Sequence, residues 1–359
     1  MKSLDRIAGT LLVRVLPAPA SAPVPASPTS FLLIRPGGIG DAVHLVPAVR
    51  AIRKAFPLVA VDILAERRNA AIFALSEGVR RVIRYDVPAE FLSLFWEKYD
   101  LVIDSEQWHH LSAVVARLVQ ARYRIGFNTN ERSRLFNCSI PYSHEDYEVD
   151  SFLGLLGPLD IPVSEITELP WLVVPPDASS QADSLLAPLQ GKRFVVIFPG
   201  ASIPERRWGE DRYRIVAGML ASEGISTVVV GGVADATDGE EIIRGLQGMN
   251  VAGKCSLAET AAVIERSAVL VSGDSGILHI GVALGKPTVS LFGPGIAAKW
   301  APRGAGHIVL NRNLDCSPCT KFGTTPPCQD GVRCMAEITA QEVVAAAERL
   351  IFPAEAVTG

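Results

Sequence analysis

A glycine-rich turn carries the first residue whose type and position suit chemistry. The segment PGGIGD (36–41) follows a short apolar run and opens a helical pattern, so Asp41 falls in the first turn of a helix. The helix N-terminus and its free backbone N–H groups would hold that carboxylate ionised. Asp41 is therefore either a general base or an N-cap residue. A dinucleotide fingerprint would need glycine where Val43 stands, which argues against an NAD site.

Glycine-rich loops recur in the second half of the chain, each after an apolar run. They are PGAS (199–202, ending in Ser202), GG (231–232), GDSG (273–276) and FGP (292–294). Glycine lets a phosphate approach the backbone, and the helix that opens at Gly276 offers N–H groups and a positive dipole end. These loops predict a diphosphate site. The surrounding spacing fits neither a protease nucleophile motif nor a P-loop.

Side chains near these loops suit an anionic nucleotide. Arg206 and Arg207 would neutralise a diphosphate without a metal, and His279, in the first helical turn, would donate to a phosphate oxygen. Glu240 or Glu241 is a candidate acceptor for a ribose hydroxyl, or else an ordinary solvated acid. The sequence thus predicts a nucleotide-binding region around 199–279.

Four cysteines lie close together late in the chain. They are Cys316, Cys319, Cys328 and Cys334, so the gaps hold two, eight and five residues. The first gap suits zinc or an iron–sulfur cluster, while the last is too wide for a standard zinc ribbon. A structural metal, reversible disulfides and plain buried thiols all remain open. Any such metal would be structural, because Asp41 and the glycine-rich loops lie elsewhere in the sequence.

Strands and helices must alternate to position these residues. Apolar runs bounded by turn residues alternate with helical patterns, which is typical of parallel α/β layers. The predicted strands are 31–35, 59–65, 79–85, 99–104, 123–127, 193–198, 226–232, 268–273 and 287–293. The predicted helices are 41–56, 211–222, 239–246, 258–267 and 276–284. This pattern predicts an α/β protein with two doubly wound, Rossmann-like domains facing a central cleft.

Composition shifts set the expected domain bounds. We expect an amphipathic segment and a Pro/Ala/Ser linker over 1–30, a first domain over 31–175 and a linker over 176–190. The second domain would cover 191–338 with a Cys-rich loop at 316–334, and a C-terminal helix over 339–359 would pack back on the first domain.

Charge and hydropathy exclude several classes of protein. The net charge of −4 argues against nucleic acid as a partner. Mean hydropathy is +0.26, yet no apolar run reaches the length of a membrane span. A short amphipathic helix over 3–16 would place Leu4, Ile7, Leu11, Leu12 and Val15 on one face. It would rest on an anionic lipid surface, dock on its own protein or fray. We predict a cytoplasmic protein, with peripheral contact at the cytoplasmic face of the inner membrane as an option.

Three separated motifs resemble one family. The segments LLIRPGGIGDAVHLVPAVRAIRKAFP (32–57), FPGAS with RRW (198–208) and VSGDSGILHIGVALGKPTVSLFGP (271–294) are similar to glycosyltransferase family 9, the heptosyltransferases of lipopolysaccharide core assembly. The resemblance covers residue 31 to about 350. It implies a GT-B fold whose first domain grips the acceptor and whose second binds the nucleotide sugar. It also implies an inverting, metal-independent transfer from ADP-heptose to a sugar hydroxyl, with no cofactor.

The resemblance also implies roles for individual residues. Asp41 matches the family's catalytic base. The diphosphate-binding loop would comprise Asp274, Ser275, Gly276 and His279. Arg206 stands where the family often has lysine before a Trp-Pro pair, and here that pair is Trp208-Gly209. Arg206 keeps a positive charge at this position, while glycine in place of proline implies a different loop geometry from that of the family.

The acceptor would be a lipid-linked glycan held by the first domain. The candidate acceptor-binding residues are Gly38, Gly40, Arg132 and Arg134, with Arg67 and Arg68 as further loop cations. Two alternatives remain: a family-9-like transferase that uses another nucleotide sugar, and a non-catalytic protein that binds sugar nucleotides. The carboxylate at position 41 favours an enzyme.

Overall fold

The chain folds into two compact units. The structure is a computed structural model that describes residues 5–162, 168–189, 191–321 and 323–353. The first unit is Met1–Trp171 and the second is Leu172–Gly359. Each contains one sheet whose strands are all parallel.

The first sheet has the order β3-β2-β1-β4-β5-β6. Its strands are β1 (Ser30–Arg35), β2 (Ala60–Ala65), β3 (Arg81–Arg84), β4 (Lys98–Asp104), β5 (Gln120–Phe127) and β6 (Cys138–Ile140). In the register, Leu33 of β1 pairs with Ile63 on one side and Ile103 on the other. The central strands are buried on both faces, which explains their continuous apolar sequence.

Helices cover this sheet and connect its strands. They are α1 (Thr10–Val15), α2 (Ile39–Ala55), α3 (Arg67–Ala74), α4 (Pro88–Ser93), α5 (His110–Leu118) and α6 (Glu148–Gly154). A π-helical turn, Asp5–Gly9, precedes α1. Helix α2 begins right after the β1 turn and buries Val43, Val46, Val49 and Ile52, the helical spacing that the sequence showed.

The second sheet repeats this arrangement with the order β12-β11-β10-β7-β8-β9. Its strands are β7 (Phe194–Phe198), β8 (Ser226–Val229), β9 (Gly248–Asn250), β10 (Val269–Gly273), β11 (Thr288–Phe292) and β12 (His307–Asn311). Its helices are α7 (Pro176–Leu186), α8 (Glu210–Ser222), α9 (Ala236–Ile243), α10 (Leu257–Arg266), α11 (Gly276–Ala283), α12 (Ala297–Trp300), α13 (Arg333–Ala336) and α14 (Ala340–Ile351).

Both sheets have the strand order of a Rossmann fold. In the first sheet β1 lies beside β4, and in the second β7 lies beside β10. The order in which the strands are added to each sheet reverses at that pair. Ligands of open parallel sheets bind outside the carboxyl ends of the strands at this switch point. The predicted α/β architecture of two doubly wound domains is confirmed.

The N-terminal segment belongs to the first unit. Asp5 accepts hydrogen bonds from the backbone N–H of Leu111 at 2.7 Å and from His109 Nδ1 at 3.3 Å. Burial raises the pKa of Asp5, but the hydrogen bonds from His109, Leu111 and His110 outweigh burial and lower it to about 2. Val13 is fully buried in the core. Of the alternatives for this helix, docking on its own protein is the one observed, although Leu4 lies outside the described residues.

Two of the expected domain bounds need correction. The Pro- and Ser-rich stretch 176–190 is not a linker, because α7 packs on α10, where Arg266 donates to Asp183 and Ser179. The C-terminal helix α14 packs in the second unit, against α8 and the sheet, whereas the sequence predicted packing on the first domain. Trp208 marks this packing, since its Nε1 donates to the Ile338 carbonyl at 3.1 Å.

Candidate active site

Asp41 lies in the turn between β1 and α2. The N-cap of α2 is Gly38, so Asp41 is the third helical residue and not the cap. Gly37 has φ +109°, a conformation that glycine adopts without strain. A Cβ built on Gly38 would lie 3.6 Å from Asp41 Oδ2, and one on Gly37 would lie 3.9 Å from the same atom. A side chain at either glycine would therefore contact this carboxylate.

A buried polar network surrounds this turn. Arg35, 1% exposed at the end of β1, pairs with Glu106 at 3.1 Å and reaches Gln107. Gln107 donates to the buried carboxylate of Glu148, which also accepts from the Tyr142 hydroxyl at 3.2 Å. The pKa of Tyr142 is raised by burial, and the negative charges of Glu148 and Asp41 add to the shift. Tyr142 therefore lies within electrostatic reach of Asp41.

Sequence reasoning missed this network, although one signal pointed to it. Glu106 and Gln107 lie two and three residues after the end of β4, the strand that neighbours β1, so they belong to the switch point of the first sheet. Polar residues at that place in an α/β chain are candidates for a site even without a glycine motif.

The arginines proposed for the acceptor have different surroundings. Arg132 is fully buried and pairs with Asp104, Ser112 and the Glu106 carbonyl, so it is a structural residue and the acceptor-binding prediction for it is wrong.

Arg134 donates to the carbonyls of Val13 and Arg14, which assigns it to holding α1 instead of an acceptor. Arg67 lies 3.9 Å from Asp86. Only Arg68 of this set reaches the Asp41 turn in the described chain. Its Nε donates to the Gly37 carbonyl at 3.0 Å and pairs with Glu66 at 2.6 Å, while its side chain remains 61% exposed.

Arg206 and Asp274 meet at the switch point of the second sheet. Arg206 lies in the loop after β7, Asp274 follows β10, and their ion pair measures 2.8 Å. The guanidinium also lies 5.7 Å from the ring centre of Trp300. Its Nε has no hydrogen-bond partner among the described residues. A buried N–H without a partner is costly, so this atom marks a place where a ligand oxygen would bind.

His279, on α11, lies within electrostatic reach of Arg206. Burial lowers the pKa of His279 to about 3, and the positive charge of Arg206 contributes. The imidazole is therefore neutral at pH 7 and would donate a single N–H. Ser275 is the N-cap of α11, because its Oγ accepts from Leu278 N at 3.2 Å. Gly276 is the first helical residue, and Ser202 is exposed in the loop after β7.

Asp274 holds Arg206 more directly than it would hold a phosphate. Its carboxylate is buried against Gly295, where an added Cβ would lie 2.1 Å from Oδ2. Burial raises the pKa of Asp274, and Arg206 opposes that rise. Two anions repel, so this carboxylate suits pairing with Arg206 better than contact with a phosphate, and donor binding by Asp274 stays a prediction.

Arg207 is occupied elsewhere. Its guanidinium lies 3.1 Å from Asp238 and 3.3 Å from Asp235, so a diphosphate would compete with two carboxylates for it. Asp235, which sequence reasoning missed, accepts from Gly232 N at 2.9 Å and packs against Gly200, where a Cβ would clash at 2.4 Å. It joins two of the glycine-rich loops.

The remaining acidic candidates are also engaged. Glu241 pairs with Arg244 on the exposed side of α9, and Glu240 accepts from Asn250 at 2.9 Å. The ribose contact of Glu241 stays a prediction, and a ribose hydroxyl would compete with Arg244 for this carboxylate.

Trp208 and Gly209 explain the departure from Trp-Pro. Trp208 is 1% exposed in the core. Gly209 has φ +102°, which proline, fixed near −65°, does not adopt. The loop that carries Arg206 therefore enters α8 through a glycine-specific conformation.

The four clustered cysteines line one cavity of about 280 Å³. Cys316 and Cys328 are exposed and Cys334 is buried, and all are free thiols. Burial and the neighbouring thiols raise the pKa of Cys319 and of Cys334. In the part of the chain that the structure describes, no three His, Cys, Asp or Glu side chains are arranged to hold a metal ion. The structure thus gathers these cysteines but does not support the structural metal.

The fold defines a protein with two Rossmann-type units, and the candidate functional side chains lie at the switch point of each sheet. A family model for glycosyltransferase family 9 (heptosyltransferase) matches residues 91–328. This chain belongs to glycosyltransferase family 9, and it is a glycosyltransferase. Asp41 precedes the matched segment.

Individual relatives agree with this assignment. The chain is 26% identical over 313 residues to lipopolysaccharide heptosyltransferase 1 of Pseudomonas aeruginosa, covering 81% of this chain and 86% of that protein. It resembles the crystal structure of a family 9 glycosyltransferase from Veillonella parvula with a TM-score of 0.76 and 19% identity, covering 91% and 98%. It resembles the Escherichia coli ADP-heptose lipopolysaccharide heptosyltransferase II with a TM-score of 0.73 and 22% identity, covering 90% and 98%. The fold is therefore of the GT-B type.

Among the described residues, no helix has the length and apolar character needed to cross a bilayer.

Proposed function

We propose that this chain is an inverting heptosyltransferase that transfers a heptose from ADP-heptose to a lipopolysaccharide core acceptor. Family membership and the names of the relatives support the heptose and the acceptor class. The observation that supports donor binding is Arg206, whose side chain is 13% exposed and whose buried Nε–H has no hydrogen-bond partner among the described residues. Its partner Asp274 lies directly before the N-terminus of α11. Such an arrangement suits an incoming diphosphate.

The donor would bind at the switch point of the second sheet. Its diphosphate would accept from Arg206, from the neutral imidazole of His279 and from backbone N–H groups near Gly276. As the sugar–phosphate bond breaks, negative charge grows on the leaving diphosphate, and these donors would stabilise it. Because positive charge already lies there, the transfer would need no divalent metal.

Asp41 would act on the acceptor. Its carboxylate would take the proton of the attacking hydroxyl while the acceptor oxygen bonds to the anomeric carbon from the face opposite the diphosphate. The bond from that carbon to the phosphate oxygen breaks, and ADP leaves with the electron pair. One displacement inverts the anomeric carbon without a covalent enzyme intermediate.

The acceptor would be an anionic, lipid-linked glycan. Arg68 supports this part of the proposal, since its exposed guanidinium lies against the Gly37 carbonyl of the Asp41 turn. A guanidinium there suits a carboxylate or phosphate on the acceptor. The enzyme would work at the cytoplasmic face of the inner membrane.

Turnover of an Asp41→Asn variant tests the mechanism. A general base contributes about 10² to 10⁴ in rate, so we expect kcat to fall by that range while the affinity for ADP stays unchanged. Asp177→Asn is the matched control, because Asp177 is an exposed first-turn acid of α7. Activity should persist in excess chelator, and the product should have the inverted anomeric configuration. Wild-type-like turnover of Asp41→Asn would refute the assignment of the base.

A further inference from the structure

The N-terminal helical segment has two stripes with the same spacing. Asp5, Gly9 and Val13 recur every four residues and face the first unit: Asp5 binds the start of α5, and a Cβ on Gly9 would lie 2.9 Å from His110 Cβ. Arg134 further fixes the end of α1 by donating to the Val13 carbonyl. The segment is thus held rigidly by one stripe.

The other stripe is apolar and exposed. Ile7, Leu11 and Val15 also recur every four residues, and their side chains are 70%, 62% and 71% exposed, with Leu12 beside them at 38%. We call these four residues the N-terminal apolar face. Single exposed apolar residues are ordinary, but a continuous row on one docked helix is not.

The charge around this face is positive. Arg6 is exposed, and Arg14 is 71% exposed, with only a loose ion pair to Glu131 at 3.8 Å. Residues 6–29 contain no Asp or Glu. A row of apolar side chains flanked by arginines is typical of helices that lie in the interface of an anionic bilayer.

Two more exposed apolar residues, Leu118 and Trp96, lie beside residues linked to this part of the first unit. Arg117 donates to the Pro17 carbonyl just beyond α1, and Leu118 next to it is 51% exposed. Gln120 donates to the Phe95 carbonyl, which places the 76% exposed Trp96 close by. Tryptophan favours the headgroup level of a bilayer, where one part of its ring is apolar and its N–H remains hydrated.

We propose that the N-terminal apolar face, with Arg6 and Arg14, lies on an anionic lipid bilayer. Because Asp5 and Val13 already hold the helix, it need not fold on contact, and it would hold the first unit at the lipid surface. This deepens the proposed function, on which it rests for the lipid-linked acceptor. Binding to vesicles is measured without donor or acceptor, so the two proposals fail separately.

Flotation of the full chain with vesicles tests the proposal. We expect binding to phosphatidylcholine vesicles that contain phosphatidylglycerol and little binding to phosphatidylcholine alone. Replacing Ile7, Leu11 and Val15 together by glutamine should lower the partition coefficient at least ~100-fold, since burying each such side chain is worth roughly tenfold or more. The matched control replaces Leu58, Val173 and Ile215 by glutamine, because these are also exposed apolar residues.

Charge is tested separately. The double variant Arg6→Gln/Arg14→Gln should bind anionic vesicles roughly 30-fold more weakly, since each basic residue near the surface contributes about fivefold. High salt should reduce wild-type binding and leave this variant little changed. The thermal unfolding curve should be the same in every variant, which shows that each remains folded.

Three outcomes would overturn the proposal. They are failure of the wild-type chain to bind anionic vesicles, equal loss in the apolar variant and its matched control, and a change in oligomeric state of the apolar variant without lipid. The last would show that the face binds a second copy of the chain.

Discussion

Arg206 and Asp274 form a 2.8 Å ion pair whose side chains are 13% and 6% exposed. The pair lies where β7 and β10 neighbour each other, so the strand order of the sheet brings together residues 68 positions apart. An incoming diphosphate would compete with Asp274 for the guanidinium and would also meet the unpartnered Nε–H. We therefore expect Asp274 to position Arg206 for the donor.

Arg206→Met is expected to weaken ADP binding roughly 10- to 150-fold, because hydrogen bonds to charged groups contribute about 1.5–3 kcal/mol. Arg207→Met is the matched control: its guanidinium is held by Asp235 and Asp238, so we expect less than about a threefold change. Isothermal titration of both variants checks this. If Arg207→Met lost more ADP affinity than Arg206→Met, the diphosphate contact would belong to Arg207 and our assignment to Arg206 would be wrong.

Gly295→Ala should disturb the same ion pair by displacing Asp274. The new Cβ would stand 2.1 Å from Asp274 Oδ2, so the carboxylate must move and Arg206 loses its support. We expect ADP affinity to fall about tenfold, the size of one charge-assisted hydrogen bond. Gly306→Ala is the control, since nothing lies within 4 Å of its Cβ. Equal affinities in the two variants would show that Asp274 does not position Arg206.

Gly209→Ala should destabilise the second unit by about 1–2 kcal/mol, because φ +102° is strained for any residue with a Cβ. Gly209→Pro should cost more, since proline cannot adopt that angle. Gly218→Ala, inside α8 with open space around it, should be neutral or stabilising. Denaturant unfolding measures all three, and a stable Gly209→Pro would refute the described loop geometry.

His279 should make stability depend on pH. Its pKa is about 3 in the folded chain, below the ordinary value of 6.5, so the unfolded state binds a proton first as pH falls. The free energy of unfolding should drop between pH 6.5 and about 3, by about 2 kcal/mol at pH 5 relative to pH 8. His279→Gln removes this part of the pH dependence. If both proteins lose stability equally from pH 8 to 5, the histidine is not buried as described.

The central architecture could be predicted from the sequence because buried parallel strands are continuous apolar runs. The short edge strands Cys138–Ile140, Gly248–Asn250 and His307–Asn311 were missed, since half-exposed strands of three to five residues have no such pattern. Helix α7 was taken for a linker because its composition is rich in Pro and Ser. Helix α7 is stabilised by packing on α10 and by the contacts of Arg266. These are tertiary contacts between residues far apart in the chain, so local composition does not reveal them.

The site could be predicted in part for a similar reason. In each sheet the carboxyl ends of the parallel strands lie at the same edge. Strand-end glycines therefore locate Asp41 at the first sheet and the Arg206 loop at the second. Which charges pair there depends on distant elements: Arg132 is buried by Asp104, and Arg207 is held by Asp235. No local spacing reveals those partners, so the sequence alone could not separate structural arginines from those open to a ligand.

The identity of the nucleotide tests the central claim most directly. The glycine-rich loops and Arg206 would accept any nucleoside diphosphate, so selectivity must come from a pocket for the base. A site that hydrogen-bonds adenine leaves polar groups unpaired with another base, at about 1–3 kcal/mol each, or roughly 5- to 150-fold in affinity. Isothermal titration of the full chain with ADP, UDP and GDP should therefore give the tightest binding for ADP. Tighter binding of UDP or GDP would keep the glycosyltransferase and contradict the transfer of heptose from ADP-heptose.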